Sequence, residues 1–220
     1  MTVTAGVVAV QGDVSEHAAA IRAAGRAHGE DVEIRELRTA GVVPECDVLL
    51  MPGGESTTIS RLVHREGIAD EIREHVAADK PVLATCAGLI VAATDANDDR
   101  IDPLGILDVT VERNAFGRQR DSFEAPLSVA GLADPFHAVF IRAPLIETVG
   151  DGSGSHPEPR GAPSRGVEVL ATWDDRPVAV RDGPVVGTAF HPELTDDPRI
   201  HDLAFFERER TAGTADATRD

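Results

Sequence analysis

Pro81-Val-Leu-Ala-Thr-Cys-Ala-Gly-Leu-Ile-Val-Ala-Ala93 is an apolar run that changes character at one cysteine. Val82-Leu83-Ala84 reads as a buried strand, and Ala87 to Thr94 reads as a tightly packed helix of small residues. Cys86 therefore stands on the turn between them. Such a turn presents its side chain at the carboxyl edge of a sheet and beside a helix N-terminus. Free N–H groups and the helix dipole there favour thiolate, the nucleophilic form of sulfur. Gly88 leaves room for close backbone approach. The serine nucleophile elbow is built on the same strand-turn-helix logic. A free cysteine also serves as a small buried core residue, so the choice between the two readings rests on partners elsewhere in the chain.

Upstream, strand and helix alternate. Gly6 to Val10 reads as a strand, followed by Gln11-Gly12 and a helix from about Asp13, where Asp13 and Glu16 form a capping box and Gly29 ends the helix. Val32 to Leu37 and Asp47 to Met51 are the next strands, the latter running into Pro52-Gly-Gly-Glu-Ser-Thr-Thr58. The paired glycines let the backbone aim N–H groups at one point, a workable oxyanion or carboxylate site, although a tight connection explains them as well. A P-loop lysine is missing from this turn. Helices over Thr58 to His64 and Ala69 to Ala78 lead to the Cys86 strand. The alternation predicts an α/β fold with a three-layer, mostly parallel sheet covered by helices on both faces, flavodoxin-like, with ligands beyond the strands' carboxyl ends.

Downstream the pattern turns β-rich: Ile106 to Val111, Phe123 to Val129, Ala138 to Ile141, Val167 to Thr172, Val178 to Val180 and Val185 to Ala189 extend or flank the sheet. Arg181-Asp-Gly-Pro184 is a hairpin turn. Residues 150–166, rich in Gly, Ser, Pro and charge, read as a solvated insertion within a single domain of residues 1–210, and residues 211–220 as a disordered tail.

The second chemical signal is Phe190-His-Pro-Glu-Leu194, directly after the last strand. In an extended segment His191 and Glu193 point the same way, so the carboxylate is placed to orient the imidazole. Short surface pairs of this type are also common, and no metal-ligand spacing accompanies them. Cys86, His191 and Glu193 together supply the nucleophile, base and orienting group of acyl transfer.

Composition narrows the classes. A chain of 220 residues that is 42% hydrophobic suffices for one α/β core. A formal charge of -17 argues against nucleic-acid and anionic-membrane partners, which need clustered Lys and Arg. Lys80 is the only lysine, and such an acidic, arginine-using surface suits a salt-rich cell, where ions screen carboxylate repulsion. Two cysteines imply no disulfide framework, and neither a signal core nor a membrane span is present, so a cytoplasmic protein is expected.

The motifs, in order, resemble a class I glutamine amidotransferase. Val10-Gln-Gly12 with Glu16-His17, Gly53-Gly-Glu-Ser-Thr-Thr58, Thr85-Cys-Ala-Gly-Leu89 and Val111-Glu-Arg-Asn-Ala-Phe-Gly-Arg-Gln119 carry the likeness. Asp121-Ser-Phe-Glu124, Val139-Phe-Ile-Arg-Ala-Pro144 and Phe190-His-Pro-Glu-Leu-Thr195 complete it. Within the superfamily they resemble the glutaminase subunit of pyridoxal 5'-phosphate synthase over about Gly6 to Arg210. Ala115, where serine is usual, and the long 150–166 segment are the departures.

The resemblance implies hydrolysis of L-glutamine, with ammonia passed to a synthase subunit inside a large hetero-oligomer and no cofactor on this chain. It implies Cys86 as nucleophile, His191 as proton shuttle and Glu193 as its orienting group. Gly54, Glu55, Ser56, Arg113, Ile141 and Arg142 would bind substrate, and the N–H groups of Gly54 and Ala87 would form the oxyanion hole. A glutaminase feeding histidine or purine synthesis, or a γ-glutamyl hydrolase, would share Cys86 and His191 but lack the Arg113 to Glu124 and Ile141 to Pro144 runs. A non-catalytic regulatory subunit of the same fold is the remaining alternative.

Overall fold

The structure, a computed structural model, describes residues 2–12, 14–113, 122–151 and 166–207. The N-terminal half consists of strands β1 (Thr2–Val8), β2 (Asp31–Leu37), β3 (Val48–Met51) and β4 (Val82–Thr85) with helices α1 (Val14–Ala27), α2 (Ser56–Arg65) and α3 (Ile68–Ala77) between them. Every residue of β3 and β4 is buried, as expected of short apolar strands covered on both faces. The second half contributes α4 (Ala87–Ala92), β5 (Ala93–Asp95), β6 (Leu107–Glu112), β7 (Ser122–Leu127), β8 (Phe136–Ile141), β9 (Leu145–Val149), β10 (Glu168–Trp173), β11 (Arg176–Asp182), β12 (Val185–Thr188) and α5 (Arg199–Phe205).

The central sheet runs β10-β11-β12-β4-β3-β1-β2. Pairing is parallel from β2 through β1, β3 and β4 to β12, and antiparallel at β11 and β10. The β1-to-β2 and β3-to-β4 connections step in opposite directions along this order. Right-handed crossovers therefore place α1 on one face and α2 with α3 on the other. The contacts agree, α1 packing on α5 and α2 on α3 and α4. The expected three-layer, mostly parallel fold is what the chain adopts.

The β-rich half divides between extending and flanking the sheet. Among the described residues, β10, β11 and β12 extend the central sheet, β5, β6 and β9 form a second sheet, and β7 pairs with β8 alone. Helix α4 stops at Ala92 rather than Thr94, because the chain turns extended at Ala93 (ψ 164°) and β5 pairs with β6. Neither β9 nor α5 was anticipated. Aromatic rings dock the β7-β8 hairpin: Phe123 stacks on Phe140 at 4.5 Å, and Phe140 meets Phe190 edge-on at 5.6 Å. That contact ties β8 to the residue preceding His191.

The Asp13 cap, residues 114–121 of the long motif including Ala115, and the 211–220 tail lie outside the described residues, as does 152–165 of the insertion. The ends of that insertion meet, since Val167 N–H donates to Gly150 C=O at 3.0 Å. Among the described residues no helix is long and apolar enough to cross a membrane.

Candidate active site

The parallel strands deliver their carboxyl ends to one edge, and the sequence-derived residues collect there. Cys86, directly after β4, holds φ 49° and ψ -106°, a conformation costly for a non-glycine residue. Two bonds fix it: its N–H donates to Thr188 C=O at 2.8 Å, and its C=O accepts from Ile90 N–H at 3.2 Å. The sharp turn also needs α4 pressed against β3. A Cβ on Gly88 would lie 2.0 Å from the Met51 carbonyl oxygen, so only glycine permits this approach.

His191 arrives from β12. Its N–H donates to Val139 C=O at 2.8 Å, while Thr188 Oγ1 donates to Phe190 C=O at 2.9 Å and sets the bend. His191 and Glu193 do not share a face of an extended segment, as the sequence suggested. Pro192–Leu194 is a 3-10 turn, and this turn brings the Glu193 carboxylate back to the ring. His191 Nδ1 and Glu193 Oε1 are 2.7 Å apart, and both residues are buried. That leaves Nε2 for Cys86. Burial disfavours a charged ring here, but bonding to the Cys86 sulfur and to Glu193 outweighs it and pushes His191 up to about 10. A cationic ring beside a sulfur is how cysteine nucleophiles are activated. Cys86 Sγ also lies 3.8 Å from the Ile141 carbonyl oxygen.

The Gly53-Gly54 turn closes over this pair. A Cβ at Gly53 would lie 2.5 Å from His191 Cε1 and 3.4 Å from Cys86 Cβ, so the turn's backbone touches both. Gly54 has φ 144°, a region open in practice to glycine alone. Gln11 Oε1 accepts from Glu55 N–H at 3.1 Å, anchoring the turn to the loop after β1. Ala87, the first residue of α4, and Ser56, the first of α2, are buried beside these turns.

Arg113 reaches the same loop. Its guanidinium donates to Glu55 Oε1 at 2.9 Å and to Asp98 Oδ2 at 2.6 Å. Hydrogen bonds from Arg100 and then Arg113 hold Asp98 below the usual carboxylate range. Ile141 is partly exposed at the rim. Arg142, also exposed, has φ 44° and makes no hydrogen bond or ion pair among the described residues. The geometry thus gathers Cys86, His191, Glu193, Gly54, Glu55, Arg113 and the Ile141 carbonyl. The side chains of Ile141 and Arg142 stay at the rim.

Several participants had no assigned role in the sequence reading. Gly53 buttresses the ring, Asp98 pins Arg113, and His17, Thr85 and His201 form a buried group behind Glu193. His17 was visible beside Glu16 on the apolar face of α1, but nothing local shows what it meets. Among the described residues no group of His, Cys, Asp and Glu is arranged to hold a metal.

Known proteins match the chain along its length. It is 69% identical to the pyridoxal 5'-phosphate synthase subunit PdxT of Halobacterium salinarum over 217 residues, covering 99% of this chain and 100% of that one. The PdxT of Haloarcula marismortui is 70% identical over 207 residues, 94% of this chain and 98% of its own. A crystal structure described as a glutamine amidotransferase superposes with TM-score 0.76 at 42% identity, covering 91% of this chain and 96% of that one. A second glutamine amidotransferase, from Thermotoga maritima, shares the fold at TM-score 0.56 and 12% identity, with 95% and 92% covered. Residues 7–210 match the SNO glutamine amidotransferase family, and with nearly the whole chain accounted for, it belongs to that family.

Proposed function

We propose that this chain is the glutaminase subunit of pyridoxal 5'-phosphate synthase, hydrolysing L-glutamine to L-glutamate and ammonia for a synthase subunit. The observation that carries the reading is Cys86 on its elbow with His191 bonded to the sulfur on one side and to Glu193, at 2.7 Å, on the other. Full-length identity of 69% to a PdxT directs the product to pyridoxal 5'-phosphate synthesis.

Cys86 Sγ attacks the side-chain carboxamide carbon, and the N–H groups of Gly54 and Ala87 receive the charge that develops on oxygen. As the tetrahedral adduct collapses, the C–N bond breaks and the His191 Nε2 proton goes to the departing nitrogen, releasing ammonia. Water, deprotonated by the same imidazole, then cleaves the γ-glutamyl thioester and frees glutamate and Cys86. Glu193 keeps the ring oriented and balances its charge. Arg113 and Arg142 are suited to a carboxylate, and Glu55 to an ammonium, with Ser56 and Ile141 completing the site.

The chain works in the cytoplasm, docked on the synthase in a large hetero-oligomer. Its charge of -17 and its relatives in Halobacterium and Haloarcula fit assembly in high salt. Glutamate release from L-glutamine, measured at high and low salt with and without the cognate synthase, tests the reading. Hydrolysis should rise with the synthase and vanish in Cys86→Ala. A folded, complexed protein that hydrolyses nothing would instead be a regulatory subunit.

A further inference from the structure

His17 belongs to the family-like opening of the sequence, yet the reaction above gives it no task. It is fully buried on α1, and so is His201 on α5. His17 Nδ1 lies 3.1 Å from His201 Nε2, and His17 Nε2 lies 3.2 Å from Thr85 Oγ1 and 3.5 Å from Glu193 Oε2. Among the described residues that carboxylate oxygen is buried with no hydrogen bond of its own, and so is His201 Nδ1. Thr85 immediately precedes the nucleophile. Two imidazoles and a hydroxyl thus form a buried cluster against the side of Glu193 that His191 does not use.

We propose that His17 is a positioning residue for the triad. Its Nε2–H, shared between Thr85 Oγ1 and Glu193 Oε2, holds the carboxylate in the plane that orients His191, and His201 fixes the tautomer this requires.

The tautomer follows from the two unpartnered atoms. With its proton on Nδ1, His17 would aim the Nε2 lone pair at the anionic Glu193 oxygen. His201 would then have to accept at Nε2 and carry its proton on Nδ1, leaving a buried N–H with nothing to bond. With the proton on Nε2, both faults disappear. Glu193 faces a donor, His201 Nε2–H donates to His17 Nδ1, and the atom left bare is an acceptor. Both rings stay neutral: burial, then the nearby His201 and His191, holds His17 well below the ordinary range, and burial pushes His201 down to about 3. Of the described side chains bonded to or facing Glu193, His191 alone is then charged.

The inference rests on the triad assigned above, so the test separates the two. Glutamine hydrolysis by the synthase complex is compared for wild type, His17→Leu and His17→Gln, the glutamine placing an N–H close to the imidazole Nε2. His17→Leu should lower kcat about 10- to 100-fold with KM within twofold, less than the ~10⁴-fold cost of a wrong tautomer inside a triad. His17→Gln should recover most of that loss. Equal impairment of both variants, or of neither, overturns the proposal. Independently of activity, ¹⁵N-histidine spectra of the full wild-type chain should show His17 neutral with its proton on Nε2, and an Nδ1 proton or a charged ring would overturn it as well. Wild type that hydrolyses nothing would instead remove the glutaminase reading, while the spectra still judge the tautomer.

Discussion

Gly53→Ala isolates one steric requirement of the site. Gly53 does not adopt positive φ, so alanine imposes no backbone strain there, and the whole effect comes from the added methyl. That methyl would lie 2.5 Å from His191 Cε1 and 3.2 Å from Nδ1, where ordinary contact begins near 3.4 Å. The ring or the turn must therefore give by about 0.9 Å. The ring is held by Glu193 at 2.7 Å and by its backbone bond to Val139 at 2.8 Å, so relief comes from breaking its alignment with Cys86 or from pushing out the glycine turn. A misplacement of about 1 Å costs roughly 100-fold in rate. Overpacking of this kind destabilises by about 1–3 kcal/mol. In the synthase complex, kcat for glutamate release should fall about 100-fold while KM changes little, with a fall in thermal midpoint. Gly53→Ala with wild-type kcat would show that the turn moves freely away from the ring, and would refute the claim that it buttresses the base.

Two further perturbations probe other parts of the structure. Asp98→Asn removes the charge that pins Arg113 at 2.6 Å, and steady-state kinetics should show KM for glutamine raised several-fold with kcat nearly unchanged, as expected of ground-state binding. Burial lowers His75 to about 4, against 6.5 for the free side chain, so the unfolded chain takes up a proton there that the folded one refuses. Its contribution to stability is complete above about pH 6.5 and is lost as pH falls towards 4. Thermal midpoints measured across that window should fall less steeply in His75→Gln than in wild type.

Local pattern carried much of this protein. Apolar runs of the right length fixed β3 and β4, the cysteine between a strand and a small-residue helix marked the elbow, and Phe190-His-Pro-Glu pointed to the segment proposed to supply the base. These features are legible because burial and turn chemistry act over a few residues. Which strand ends meet is a different matter. His17 and His201 are 184 positions apart, and what places them behind Glu193 is the packing of α1 on α5 beneath β4. The 3-10 turn at Pro192, the separate β5-β6-β9 sheet and the press of Gly53 against His191 likewise depend on sheet order and on atoms distant in sequence. The sequence by itself determined the chemical groups and the main alternation of strands and helices, though not β9, α5 or the turn at Pro192. Tertiary structure alone decided their pairing, because contact geometry between remote segments is set by how the whole core closes and leaves no periodicity in the chain.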